Sequence, residues 1–492
     1  MDAISFDGIP ATATLPFMYV EFDASAADLG PSLMPFRILT IGQRLAAGTK
    51  PAGQVDRVTR AEQAVNYYGQ GSMLAHMVER LLDNNQVTEL HALALDDAEA
   101  GVKATWSITV GGTVSAGTIE LLIGGRRVRV GVATGDTLAE IATAIAAAIE
   151  AVPDLAVNAA VDGATDTQVN VTAKHKGEAP SALDIRHSYY AGQALPDGLT
   201  LTIAQTQAGS GNPDVTGLFD VLGDTHYNVI AFPYTDAANL TVLEAELADR
   251  FGPLEMIDGV AFIAKTGTHS ELITFGDGRN SPHVSVMDAH KSPTPTWEWA
   301  AAIAGVAAYY GNIDPGRPLQ TLVLQGVLPE AEADRFTKFP ERNLLVLDGV
   351  STHYVDAGGL VRIEYLRTMY QENALGAEDR AYMDVETLLT LSYLRYDFRT
   401  YISKKYPRHK LGDDGKNYGA GQKIMTPKLG RAEAIARFQV WEQLALVEDV
   451  EQFKRDLIVT RDAQNVNRLN WRLPPNVINQ FRQGAVQIQF RR

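Results

Sequence analysis

Four side chains between residues 236 and 290 are of the types that acid–base chemistry needs: Asp236, Lys265, Asp288 and His290. Each falls at or near the end of a short apolar run, "YNVIAF", "DGVAFIA" or "PHVSVMD". Open parallel sheets bind ligands beyond the carboxyl ends of their strands, so this is where an α/β enzyme would carry its site, with Asp288 and His290 as the strand-end pair. A catalytic set also needs a nucleophile, a base and an orienting group in mutual reach, and no motif assembles one. Gly-x-Gly-x-x-Gly ahead of a helix, a Walker loop, Gly-x-Ser-x-Gly and His-Glu-x-x-His are all absent. "FGDGRN" at 275–280 lacks phosphate-loop spacing and reads as a turn. His283, Asp288 and His290 are metal-ligand types, but they are strung along and just past one strand, so structural roles are expected and no metal or cofactor. The chain has no cysteine, which removes disulfides, thiolate catalysis and cysteine metal sites, and fits a reducing cytoplasm.

The second constellation is basic. In "RTYISKKYPRHKLGDDGKNYGAGQKIMTPK", Lys404, Lys405, Arg408 and Lys410 lead a run that continues through Lys416, Lys423 and Lys428, interleaved with Tyr401, Tyr406 and Tyr418. Such a run is a solvated loop or a contact for an acidic surface. The whole chain carries a net charge of −16, and that field opposes nucleic acid.

The elements that must position these groups change character along the chain. With 492 residues, two to four domains are the natural division. No apolar run approaches the ~18 residues of a membrane span, and the first residues lack the pattern of a secretory signal. Residues 1–25 read as an extended arm, in which Ile4 and Phe6 alternate with polar neighbours while Pro10 and Pro16 forbid an early helix. "FRILTIG" predicts a buried strand, and a helix is expected over about 59–83 with Leu74, Met77, Val78 and Leu81 on one stripe. From 101 to 210 the chain becomes rich in Thr, Gly, Ala and Val. There "IELLIGGRRVRV" predicts a hairpin turning at Gly124-Gly125, and Thr137 with Glu140 forms a capping box for the next helix.

Residues 211–334 alternate strand and helix, which predicts a partly parallel sheet. Residues 335–480 carry "NLLVLDG" and "LVRIEYL" as expected strands and two helices, one bearing Tyr382, Val385, Leu389, Tyr393 and Tyr396, the other Ile435, Phe438, Trp441 and Leu444. "LIVTR", "RLNWRL" and "AVQIQF" predict three closing strands. In the last, within 481–492, Val486, Ile488 and Phe490 alternate with Gln487 and Gln489, the period of a half-buried strand. A strand at a terminus either pairs within its own domain or waits for another chain.

The tail "RDLIVTRDAQNVNRLNWRLPPNVINQFRQGAVQIQF", with "DFRTYISKKYPRHKLGDDG" and the early "ISFDGIP", resembles the contractile tail sheath proteins of Mu-type myophages. The resemblance spans both ends and the C-terminal third and is weakest over 101–210, the place of a variable outer domain. It implies a multidomain protein of α/β and α+β parts: an α/β sheath core (26–100 and 211–334), an inserted small α+β outer domain (101–210), an inner C-terminal domain (335–480) and extended terminal arms. It further implies a non-enzymatic structural subunit of the virion tail, assembled in the host cytoplasm. Such subunits polymerise as stacked hexameric rings around a tail tube and contract to drive the tube through the host envelope. The implied partners are copies of itself, the tube protein, and the baseplate and tail terminator proteins, with no membrane and no direct nucleic acid. The arm residues that would add strands to neighbouring subunits are Ile4, Phe6, Ile9, Val486, Ile488 and Phe490, and Lys404, Lys405, Arg408 and Lys410 would face the tube. The alternative is the α/β enzyme acting near Asp288 and His290.

Overall fold

The computed structural model describes residues 34–419 and 421–491. The expected N-terminal arm, with Ile4, Phe6 and Ile9, lies outside them. Contacts divide the chain into two compact units, Pro35–Tyr393 with Asn479–Arg492, and Leu394–Ile478, the division falling inside one helix.

The larger unit starts with β1 (Arg37–Gln43), buried almost throughout, followed by the edge strand β2 (Val55–Val58). The helix expected over 59–83 is two: α1 (Ala61–Tyr68) and α2 (Met73–Asn84). Gly69 and Gly71 between them have φ of 89° and 76°, which a helix cannot contain. Ser72 restarts the chain by accepting from the Ala75 amide. The stripe of Leu74, Met77, Val78 and Leu81 is buried as its spacing predicts. Strand β3 (Glu89–Leu95) then pairs parallel to β1.

Residues 102–210 form two small antiparallel sheets and a helix, and their ends meet at the Val102–Ser210 bridge. β4 (Lys103–Gly112) is followed by the hairpin of β5 (Gly117–Ile123) and β6 (Arg126–Val132). Gly124 and Gly125 turn the hairpin with φ of 53° and 77°, the two positive values that its two-residue turn requires. α3 (Leu138–Glu150) opens with the reciprocal Thr137–Glu140 capping box and buries Ile141, Ile145 and Ile149. β7 (Val157–Val161), β8 (Gln168–Lys176), β9 (Ile185–His187) and β10 (Leu199–Gln207) complete the segment, in sheets ordered β10-β4-β8-β7 and β6-β5-β9.

The chain then re-enters the main sheet with β11 (Val229–Ala231), α4 (Ala237–Phe251), β12 (Val260–Thr266), α5 (His269–Asp277), β13 (Val284–His290) and α6 (Thr296–Ile313). α6 is buried along nearly its whole length and packs on β11, β12 and α2. "NLLVLDG" is a short helix, α7 (Asn343–Leu347), where a strand is expected; an apolar run this short does not distinguish the two by periodicity. β14 (Val350–Val355) and β15 (Val361–Tyr365) close an eight-stranded sheet in the order β15-β14-β13-β12-β11-β1-β3-β2. The six strands from β14 to β3 run parallel, with antiparallel strands at both edges.

α8 (Val385–Lys405) crosses the division. The smaller unit then has β16 (Lys410–Leu411) paired with β17 (Ile424–Met425), α9 (Pro427–Gln443), β18 (Val447–Glu448), α10 (Val450–Asp456), a hairpin of β19 (Ile458–Arg461) and β20 (Leu469–Arg472), and β21 (Asn476–Val477) paired with β18. Its core is partly ionic. Asp397, fully buried, receives Arg437 through both guanidinium ends and the Trp441 indole N–H at 2.6 Å. Phe398 lies edge-on to both Trp441 and Trp471. The hairpin sits hard against α9 because Gly430 has no side chain: a Cβ there would meet Leu469 Cδ2 at 3.0 Å and the Trp471 ring at 3.2 Å.

One buried carboxylate ties the 102–210 segment to the sheet unit. Glu298, on α6, accepts from Arg126 Nη1 at 2.6 Å at the hairpin turn and from Arg80 Nη2 at 2.7 Å on α2. Arg126 also reaches Asp154 at 2.7 Å. Burial opposes the Glu298 charge, but Arg126 and Arg80 more than reverse it and hold its pKa below the usual value. Removing one partner of a buried ion pair strands the other charge at a cost of about 3–5 kcal/mol. Glu298→Ala is therefore expected to lower the unfolding free energy of the subunit by about that amount, read as a lower urea midpoint.

Candidate functional site

The strand-end residues do not assemble a catalytic set. Asp236 caps α4, accepting from the Asn239 amide at 3.0 Å and from the Asn212 side chain at 2.7 Å. The Lys265 ammonium lies 4.7 Å from the Phe275 ring centroid, and burial depresses its pKa. Beside it is a cavity of about 140 Å³, short of the ~300 Å³ at which small-molecule pockets begin. His283 precedes β13 and His290 ends it, so about 20 Å of strand separates them and no metal triad forms with Asp288. His283 instead packs on Phe251. His290 stacks on Phe336, with Nδ1 2.7 Å from the Gly267 carbonyl. Among the described residues no group of three His, Cys, Asp or Glu could hold a metal ion, and no helix is long and apolar enough to cross a membrane.

Asp288 belongs to a buried ion triplet that the sequence does not advertise. His353 on β14 stands between Asp288 (Nδ1–Oδ1, 2.9 Å) and Glu330 (Nε2–Oε2, 3.1 Å), and all three are at most 5% exposed. Burial alone would discharge the imidazole; the two carboxylates outweigh it and raise its pKa to about 10. Both ring nitrogens then donate, Nε2 to the Glu330 carboxylate and Nδ1 to the Asp288 main-chain carbonyl at 3.1 Å, with the Asp288 carboxylate held beside the ring as an ion-pair partner. Burial likewise pushes the Glu330 carboxyl up, and His353 more than reverses that. The adjoining cavity is about 20 Å³, space for a water and no substrate. The cluster thus joins β13, β14 and the 328–342 loop electrostatically.

The crevice where an α/β sheet would hold a ligand is filled. The direction of strand order reverses at β1, between β3 and β11. There Gln43, at the end of β1, donates to Asp97 at 2.7 Å and to the Lys176 carbonyl at 2.8 Å. His175 accepts the Met73 amide at Nε2, which leaves its Nδ1–H for Asp97 at 2.9 Å. Burial keeps the His175 pKa low, as this neutral tautomer requires. The His175 side chain and the Lys176 main chain of β8 thus bond with the groups at that position.

The basic stretch is partly consumed internally. Lys405 binds Glu433 at 2.9 Å, and the Tyr401 and Tyr406 hydroxyls donate to the same carboxylate. Burial would depress the Lys405 ammonium, but its bonds to Tyr401 and Glu433 carry its pKa above the lysine norm. Lys410 reaches Gln422 at 2.8 Å, while the exposed Lys404 and Arg408 point their charge outward.

The C-terminal segment is the other singular feature. Val486, Ile488 and Phe490 are 85%, 84% and 81% exposed, and residues 484–491 join no sheet among the described residues. The expected strand has the alternation but not the half-burial. Just before it, Arg482 is held by Asp384 and Glu386, an attachment that periodicity gives no means of finding.

Residues 208–369 match the phage tail sheath protein central domain, and residues 377–491 match the phage tail sheath C-terminal domain. The chain belongs to the phage tail sheath family, the structural subunits of contractile phage tails. It is 43% identical over 489 residues to the Mu-like prophage FluMu tail sheath protein of Haemophilus influenzae, spanning 99% of each chain. Similar solved structures are the sheath tail proteins of Desulfitobacterium hafniense (16% identity, TM-score 0.49, 94% of this chain and 97% of that one) and of Listeria innocua (12% identity, TM-score 0.49, 93% and 95%).

The His353 triplet sets an alkaline limit. Because its folded pKa lies above the unfolded value of about 6.5, its contribution is complete below pH ~6.5 and is lost as pH rises toward 10. The urea midpoint is expected to fall across that window, and to fall less steeply in His353→Gln.

Proposed function

We propose that the chain polymerises as stacked hexameric rings around a tail tube, its subunits linked by terminal strands, and that contraction of this polymer drives the tube through the host envelope. The observation carrying this reading is an exposed apolar alternation on a segment with unpaired backbone. Val486, Ile488 and Phe490 are all exposed and would share one face of the chain once it is extended against another subunit's sheet edge. The β19–β20 hairpin, a two-stranded sheet with both outer edges open among the described residues, is the acceptor in the neighbour. Ile4, Phe6 and Ile9 supply the corresponding N-terminal arm. The 102–210 segment is the outer domain, and Lys404 and Arg408, with Lys405 and Lys410 as its internally paired members, form the tube-facing side. Assembly takes place in the host cytoplasm, with the tube, baseplate and terminator proteins as the other partners.

Magnitudes favour collective rather than pairwise association. Burying the three apolar side chains yields roughly 5–9 kcal/mol. Each ladder hydrogen bond adds about 0.5–1.5 kcal/mol. Ordering the segment costs about 1–2 kcal/mol per residue. One arm is near balance, so free subunits stay apart; several arms engaged together hold through effective concentration. No nucleotide is hydrolysed, and the driving energy is the difference in interface between an extended and a contracted lattice.

Deletion of residues 484–492 is expected to leave a folded, soluble subunit that no longer forms tubes in negative-stain images. Tubes of normal appearance from that truncation would remove the arm reading. Turnover abolished by His290→Ala without loss of assembly would favour the enzyme alternative at Asp288 and His290.

A further inference from the structure

Arg482 is the last residue of the described chain that is not exposed. Its Nη2 lies 2.9 Å from Asp384 Oδ1 and 2.9 Å from Glu386 Oε2. The guanidinium carbon stands 4.2 Å from the centroid of the Tyr365 ring, within cation–π range. The receptor is built before the arginine arrives. The Tyr365 hydroxyl donates to Asp384 Oδ1 at 2.8 Å, and the other oxygen of Glu386 takes the Leu319 amide at 2.7 Å. Gln320 adds a bond to the Phe481 carbonyl at 3.3 Å. Glu386, fully buried in the first turn of α8, needs a cation, and Arg482 brings it. From the next residue, Gln483, the chain is exposed and stays so through Arg491.

We propose that Arg482 is the clamp at the root of the C-terminal arm, fixing the arm's base to its own subunit so that tension borne by residues 484–490 enters the fold at the start of α8. This rests on the reading that those residues pair with a neighbour. A strand paired only at its far end transmits no load; it needs an anchor of comparable strength at its near end. Both carboxylates are met by one nitrogen, Nη2, so the direction of the contact comes from the guanidinium lying over the Tyr365 ring, which the point charge of a lysine does not reproduce.

The test uses the full chain. Glu386→Gln with Arg482→Met removes the clamp without stranding a buried charge, and Arg482→Lys keeps the charge but loses the planar, stacked geometry. Both are expected to fold, with urea midpoints near wild type, and to form tubes whose mean length in negative stain is several-fold shorter and which dissociate on dilution, the lysine variant less severely. Hydrogen exchange over residues 480–483 of the free subunit is expected to rise in both. Tubes of wild-type length and persistence from both variants, while deletion of 484–492 still abolishes tubes, would overturn the clamp alone. Tubes from the deletion would overturn the arm reading beneath it.

Discussion

A carboxylate without water must be matched where it stands, and the largest unit of this protein is arranged around one such match. Glu298 sits inside α6 with Arg80 of α2 on one oxygen and Arg126 of the β5–β6 turn on the other. The pairing has two consequences. It forces the Gly124-Gly125 turn down onto the sheet unit, where the hairpin tip lies against Thr294 and Pro295. It also joins residues far apart in sequence, so the 102–210 segment cannot swing without leaving a buried charge unpaired. A buried pair of this kind stabilises little against an apolar alternative, but it is intolerant of partial separation, which suits a body that must move as one piece.

Rigidity of that kind is complementary to the exposed C-terminal residues. Main-chain groups in extended chain need partners, and at 484–491 solvent is the partner in the isolated subunit. The contrast along these few residues is sharp. Arg482 is clamped between two carboxylates and a ring, and Phe490 is almost wholly exposed. Firm attachment followed at once by exposed chain gives the C-terminal segment a defined origin.

Periodicity and local rules made much of the fold legible. The apolar runs at 36–42, 227–232, 259–264 and 283–288 became strands of the main sheet, and the Gly-Gly turn and the Thr137–Glu140 capping box formed as their chemistry requires. The misreadings have physical causes. Two positive-φ glycines broke one helix into two, a seven-residue apolar run lacked the length to declare itself, and of the α9 stripe Ile435, Phe438, Trp441 and Leu444 only Phe438 and Trp441 are buried, with Glu433 and Arg437 buried beside them. The ionic clusters were invisible for a different reason. Glu298 with Arg126, His353 with Asp288 and Glu330, and Arg482 with Glu386 are separated by 23 to 172 residues or arise from adjacent strands, and no spacing rule connects them. At 484–491 the alternation is present but no strand forms within the chain, since alternation specifies which side chains would share a face and not what covers that face.

The same sheet explains why an enzyme reading was reasonable from sequence and loses its footing in three dimensions. A parallel sheet whose order reverses at β1 creates a crevice beyond the strand ends, and chemistry-bearing residues near those ends invite assignment to it. Here the chain leaves the sheet after β3, builds the 102–210 segment, and returns at β11, so the insertion emerges on the rim of that crevice. His175 and Lys176 of β8 come back into it, and Asp97 bonds to His175 and to Gln43 of β1. The Gln43 amide N–H groups, Asp97 and His175, which a ligand could have engaged, are bonded within the protein itself. Asp288 and His290, further along the sheet, are likewise turned to internal partners, His353 and Phe336. An insertion placed at a switch point thus converts a binding crevice into an internal joint.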